Sequence, residues 1–121
     1  MANSNDLVII VTKGIDNELS SVAFTIACGG ITSGQNVSIF LTSSGIDLVR
    51  KRGVAMTRVD PLDSLSHLMA DFMARGGTIW ACMPCVKSRG YEQADLIEGV
   101  EITGASKLHE QIINGAATLS F

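Results

Sequence analysis

Leu7–Val11 reads Leu-Val-Ile-Ile-Val, five consecutive apolar residues closed off by Asp6 on one side and Lys13-Gly14 on the other. A strand with one wet face alternates apolar and polar residues. A run that is apolar at both parities needs cover on both faces, as the central strand of a parallel sheet has. That requirement points to a layered α/β domain more firmly than any other feature of the chain.

The rest of the sequence supplies the cover at regular intervals. Leu19, Val22, Ala23, Ile26 and Ala27 share one helical face, and Gly29-Gly30 is expected to end that helix. Val37–Leu41 predicts a second strand, Thr42-Ser43-Ser44-Gly45 a turn, and Ile46–Lys51 a short helix. Asp60-Pro61 is expected to open the next helix, with Asp60 as N-cap, Pro61 in the first turn and Asp63 complementing the dipole. Leu65, Leu68, Met69, Phe72 and Met73 follow the i, i+3, i+4, i+7, i+8 pattern, and Gly76-Gly77 stops it. Thr78–Ala81 predicts a third strand running straight into Cys82. Val100–Ile102 predicts a brief fourth strand. Ala105, Leu108 and Ile112 mark a last helix closed by Asn114-Gly115, and Ala117, Leu119 and Phe121 a last strand at an edge. Alternating strands and helices predict one domain over residues 1–121: three-layer α/β/α, with a mostly parallel sheet of about five strands.

Bulk properties narrow the function classes. The net charge of −3 gives no basic face for nucleic acid or anionic lipid. Charged residues make up 17% and apolar residues 46%. A chain of 121 residues has a large surface to keep polar, so this apolar surplus predicts self-association. No stretch approaches the roughly 20 apolar residues of a membrane span. The start, Met1 to Asp6, has neither a basic cluster nor an apolar run, so no signal peptide is expected. Three cysteines, two of them only two residues apart, make a poor disulfide framework and fit a reducing cytoplasm.

In parallel α/β sheets the functional loops gather beyond the carboxyl ends of the strands. Here those loops carry Lys13-Gly14, Thr42–Gly45, Cys82–Cys85 and Thr103-Gly104. The third holds the most specific chemistry. Trp80-Ala81-Cys82-Met83-Pro84-Cys85 is a strand end followed by a CxxC with a proline suited to a first helical turn. Cys82 at or just before a helix N-terminus is favoured as a thiolate, and Lys87 and Arg89 carry further positive charge nearby. A thiolate attacks a sulfur donor or a disulfide, and Cys85, one turn on, is placed to resolve the product.

The run Cys-x-x-Cys-x-x-x-Arg-Gly at Cys82–Gly90 resembles the active loop of DsrE/DsrF-like proteins of the YchN type. Ile39–Leu48 resembles their second strand and the turn after it, and Ile102-Thr103-Gly104-Ala105 with the short final strand is similar too. The resemblance spans nearly the whole chain. It implies a three-layer α/β fold and a homo-oligomer, often a trimer or hexamer. In the sulfur-relay members a loop cysteine carries a persulfide and passes the sulfur to a partner. Counted back from Arg89-Gly90, that cysteine corresponds to Cys82. A second cysteine at Cys85 departs from the relay pattern and leaves disulfide formation open. The resemblance implies sulfur donor and acceptor proteins as partners. No cofactor is expected.

The remaining polar residues have plainer readings. Cys28 reads as a packing residue. His67 and His109 each neighbour a core position and point to solvent. One CxxC supplies only two of the four ligands structural zinc needs, so no metal is expected. Thr42, Ser43 and Ser44, with Lys13, Gly14 and Arg89, are candidates for binding a substrate or small anion, against the simpler reading of Thr42–Ser44 as a capping turn. Neither glycine pair belongs to a nucleotide fingerprint, and Trp80 reads as a core or interface residue.

Three functions fit these residues: a sulfur carrier or sulfurtransferase-like protein, a dithiol–disulfide protein using Cys82 and Cys85, and a non-catalytic oligomeric scaffold or small-ligand binder. Cys-Met-Pro-Cys resembles the thioredoxin Cys-Gly-Pro-Cys, but the pair comes two-thirds along the chain, where thioredoxin carries it early.

Overall fold

The computed structural model describes residues 4–121. Met1–Asn3, where part of the leader reading falls, lie outside the described residues. Five strands form one sheet: β1 (Asp6–Val11), β2 (Asn36–Leu41), β3 (Thr78–Cys82), β4 (Glu101–Thr103) and β5 (Ala117–Ser120). Their order is β4-β3-β2-β1-β5 and every pairing is parallel. The expected "mostly parallel" sheet is thus entirely parallel, and β5 lies at an edge as its alternation predicts.

This order decides which face each helix covers. From β1 to β4 the chain advances across the sheet in one direction, then returns past β1 to add β5. Right-handed crossovers put the connections of the advancing stretch on one face and that of the return on the other. Accordingly α1 (Glu18–Thr32) and α2 (Leu65–Ala74) pack over Leu7, Ile9, Val11, Val37, Ile39, Leu41, Ile79 and Ala81. Phe24 of α1 meets Phe72 of α2 edge-on, centroids 5.9 Å apart. Such a pair contributes roughly 0.5–1.5 kcal/mol beyond its buried area. The opposite face holds Val8, Phe40 and Trp80, with Leu108 of α4 (Ala105–Ile113) packed against them. That face is thinly covered: α4 has no buried residue, and all of β5 is exposed.

Three local expectations are corrected. Helix α1 runs through Gly29-Gly30 and ends at Thr32, with Ser33 as cap and Gly34 at φ 91°. The helix's own hydrogen bonds carry it past two glycines that cost it only propensity. Its inward face also differs: Ser20, Ser21, Ala23, Phe24, Ala27 and Cys28 are buried, whereas Leu19 and Ile26 are each 38% exposed. Ser20 tolerates burial because its hydroxyl donates to the carbonyls of Lys13 and Gly14 at 3.0 and 2.7 Å. The third correction concerns α2, which starts at Leu65 and not at Pro61. Ser64 is its N-cap, accepting from the His67 N–H at 3.4 Å. Asp60 pairs with Arg58 at 3.2 Å in the connecting segment, and Asp63 precedes the helix. The apolar stripe of α2 does face inward, with Leu65, Leu68, Met69 and Phe72 buried.

Cys28 is buried and its thiol donates to the Leu68 carbonyl at 3.5 Å. Burial pushes that thiol above its ordinary range, in keeping with a packing role. Among the described residues no helix is long and apolar enough to cross a membrane.

Candidate functional site

Strand β3 pairs with β2 so that Leu41 lies opposite Ala81. The two chains therefore leave the sheet side by side, β2 into Thr42-Ser43 and β3 into the cysteine loop. After β2 comes a 3₁₀ helix, Ser43–Val49, in place of the short helix expected over Ile46–Lys51. After β3 comes α3 (Met83–Ser88), with Cys82 as N-cap and Pro84 in its first turn. Pro84 lacks only an N–H that has no intrahelical partner there.

The two turns meet at Cys85. Its Sγ accepts from the backbone N–H of Ser43 at 3.2 Å and lies 3.3 Å from the Thr42 hydroxyl. Ser43 holds φ 53°, in the left-handed region that a non-glycine residue enters at a cost. The turn is drawn tight against β1: Thr42 N–H donates to the Val11 carbonyl at 3.1 Å. A Cβ on Gly45 would stand 2.4 Å from that same oxygen, so only glycine lets the backbone come this near.

These contacts tune the sulfur. The Thr42 hydroxyl, then the Ser43 N–H, lower the Cys85 thiol below its ordinary range. Partial burial opposes them, and the neighbouring Cys82 thiol and the Arg89 charge add to them. Hydrogen bonds and positive charge favour the thiolate because they act on the charged form. Arg89 is held in place by a donor bond to the Cys85 carbonyl at 3.4 Å and an ion pair with Asp47 at 3.7 Å. Asp47 also accepts from the Tyr91 hydroxyl at 2.6 Å, and the Arg50 guanidinium lies 5.3 Å from the Tyr91 ring centre.

Of the expected site residues, the structure brings together Thr42, Ser43, Cys82, Cys85 and Arg89. Ser44 faces the neighbouring loop, its carbonyl 3.2 Å from where a Cβ of Gly14 would stand. Lys13 is exposed, and with buried Gly14 it uses its carbonyl to hold Ser20; neither approaches the cysteines by any hydrogen bond. Lys87 is exposed and does not bear on Cys85. The helix dipole expected to act on Cys82 is small, because α3 has six residues, and the Cys82 side chain makes no capping bond. Sequence reasoning missed Asp47 and Tyr91. The one available signal was that Tyr91, the sole tyrosine, directly follows Arg89-Gly90.

A family model for the DsrE/DsrF-like family matches residues 5–121. The chain belongs to the DsrE/DsrF-like family. The YchN protein of E. coli shares the fold at a TM-score of 0.77, with 17% identity over 99% of this chain and all of that one. The MTH1491 protein of Methanobacterium thermoautotrophicum does so at 0.73, with 16% identity over 96% and 98%. Among sequence relatives, an uncharacterized protein of Methanopyrus kandleri is 30% identical over 95 residues, covering 78% of this chain and 75% of its own length. Another, of Methanocaldococcus jannaschii, is 27% identical over 95 residues, covering 78% and 80%. The family is related to sulfur relay, and the three-layer YchN-like fold of its members is the fold found here. Among the described residues no three or more His, Cys, Asp or Glu side chains gather as a metal site.

Proposed function

We propose that this DsrE/DsrF-like chain is a sulfurtransferase-like sulfur carrier, holding a persulfide on the cysteine loop and passing the sulfur to a partner protein. The observation that carries this reading is the pair of groups set against Cys85 Sγ, the Ser43 N–H that donates to it and the Thr42 hydroxyl 3.3 Å away, which can donate to a thiolate. A thiolate is the nucleophile in attack on a sulfane sulfur, and a persulfide anion needs the same kind of support. The resemblance implies Cys82 as the carrier; the donor geometry favours Cys85.

The carrier works as a cytoplasmic homo-oligomer, trimer or hexamer, that meets separate sulfur donor and acceptor proteins. Uncovered apolar residues support self-association: Ile113 of α4 is 83% exposed and Leu119 of β5 is 41% exposed. Three free cysteines suit a reducing compartment.

The test is intact mass spectrometry after incubation with a cysteine desulfurase and its substrate. Cys82→Ser gains one sulfur atom and Cys85→Ser gains none. Loading of Cys85→Ser alone moves the carrier to Cys82. No gain in either variant overturns the carrier reading.

A further inference from the structure

Both cysteines are free, and they stand three residues apart across the first turn of α3. Cys82 is the extended cap of that helix and Cys85 lies in its first turn, and the Cys82 thiol stands near enough to act on the Cys85 sulfur; a disulfide needs the two Cβ atoms about 3.5–4.5 Å apart. Their surroundings divide the work. Cys85 is the sulfur that Ser43 and Thr42 address from the adjoining strand. Cys82 ends β3, opposite Thr103 of β4, and is packed against apolar residues on both faces of the sheet. Its thiol faces no donor from the Thr42-Ser43 turn. One thiol is thus set up to attack from outside, and the other stands behind it.

We propose that when no acceptor takes the sulfur, Cys82 displaces it from Cys85 as sulfide, so that the pair converts sulfane sulfur to sulfide and not merely stores it. The inference rests on the carrier reading above and names the fate of the sulfur that enters this site. In the first step the Cys85 thiolate attacks the terminal sulfur of a persulfide R–S–SH. A Cys85–S–SH bond forms, the donor's S–S bond breaks, and R–S⁻ leaves and takes up the proton. In the second step Cys82 attacks Cys85 Sγ. The Cys82–Cys85 disulfide forms, and the terminal sulfur leaves as HS⁻ with the pair of electrons from the broken S–S bond. The Cys82 proton completes H₂S. The sulfane sulfur is reduced by two electrons and the two thiols are oxidised to one disulfide. A dithiol reductant then restores the pair by thiol–disulfide exchange.

The same arrangement explains why the donors serve Cys85. In the second step Cys85 Sγ is the atom attacked, and the Ser43 N–H and Thr42 hydroxyl hold it in place while Cys82 approaches from the same turn. The substrate class is a small-molecule or protein persulfide.

The experiment incubates the reduced full-length chain with glutathione persulfide, without oxygen or added reductant, and follows released sulfide and intact mass together. The wild-type chain releases one equivalent of sulfide beyond a donor-only control and loses two hydrogens, and a dithiol reductant restores its mass. Cys82→Ser holds one added sulfur atom and releases no sulfide; Cys85→Ser does neither. A wild-type chain that keeps the added sulfur as stably as Cys82→Ser, with no sulfide, overturns this inference and leaves the carrier standing. Loading on Cys85→Ser reverses the assigned roles and overturns it as well. Failure of every form to gain sulfur or release sulfide sinks both readings. The wild-type outcomes alone decide between storage and release, should either variant fold poorly.

Discussion

Ser43 donates its backbone N–H to Cys85 Sγ at 3.2 Å from a left-handed conformation, φ 53°. A serine in that region costs on the order of 1 kcal/mol. It persists here because Thr42 is tied to the Val11 carbonyl on one side and Gly45 is pressed against the same oxygen on the other. The cysteine site is therefore paid for by the packing of a turn forty residues away in sequence.

Cys85 is the thiol that titrates low. Its alkylation by iodoacetamide rises with pH around a midpoint below that of an ordinary thiol, and Thr42→Val moves the midpoint up. Loss of one hydrogen bond, about 1 kcal/mol net, slows alkylation at neutral pH about fivefold. Linkage fixes the sign for stability. The folded-state pKa lies below the unfolded one, so the contribution is fully present above the unfolded value and lost as pH falls through the folded value. Denaturant unfolding of wild type against Cys85→Ser across that window measures it; a difference independent of pH refutes the assignment.

Tyr91 titrates high. The Asp47 carboxylate accepting its hydroxyl is the main cause, with desolvation second. Because it is the sole tyrosine, alkaline ultraviolet difference spectra read it alone. Asp47→Asn lowers its midpoint. The raised value contributes stability below the unfolded pKa that disappears as pH rises through the folded one. Tyr91→Phe destabilises by about 1 kcal/mol. Through Asp47 it also loosens Arg89, so slower Cys85 alkylation accompanies the loss.

Gly45→Ala destabilises the fold by about 1–3 kcal/mol, because the new methyl meets a backbone carbonyl that has nowhere to retreat. The readout specific to the site is the Cys85 alkylation midpoint, which rises as the turn moves Ser43 away. An unchanged midpoint with lowered stability separates scaffold from site.

Helix α4 buries no residue of its own. Ile113→Glu is expected to lower the oligomeric mass in sedimentation, while the far-ultraviolet circular dichroism stays that of the folded chain. An unchanged mass, or a wild-type chain that sediments as a monomer, refutes self-association through α4.

The strands were legible because burial on both faces leaves an apolar run that no turn chemistry imitates; Leu7–Val11 and Val37–Leu41 sit in β1 and β2, extended by one residue each. The position of the cysteines was legible for the same reason, since a strand end before a CxxC with Pro84 has few other readings. The inward face of α1 was not. Ser20 and Ser21 are as buried as Phe24, and nothing in a serine announces that the carbonyls of Lys13 and Gly14, in the loop before the helix, will accept the Ser20 hydroxyl. The start of α2 was misread because Asp60-Pro61 and Ser64 both carry capping chemistry, and the chain makes a turn at Val59–Leu62 before Ser64 takes the helix.

By itself the sequence determined a layered parallel α/β domain and a dithiol at the carboxyl end of one strand, since both follow from local hydrophobic pattern and residue spacing. Which thiol is activated was decided only by the tertiary structure. The β2–β3 register sets Thr42 and Ser43 beside Cys85, and α3 and the segment after it bring Arg89 and Tyr91 to Asp47. Those partners lie more than forty residues apart along the chain, and a hydrogen bond a few ångström long exists only once the sheet has closed that separation.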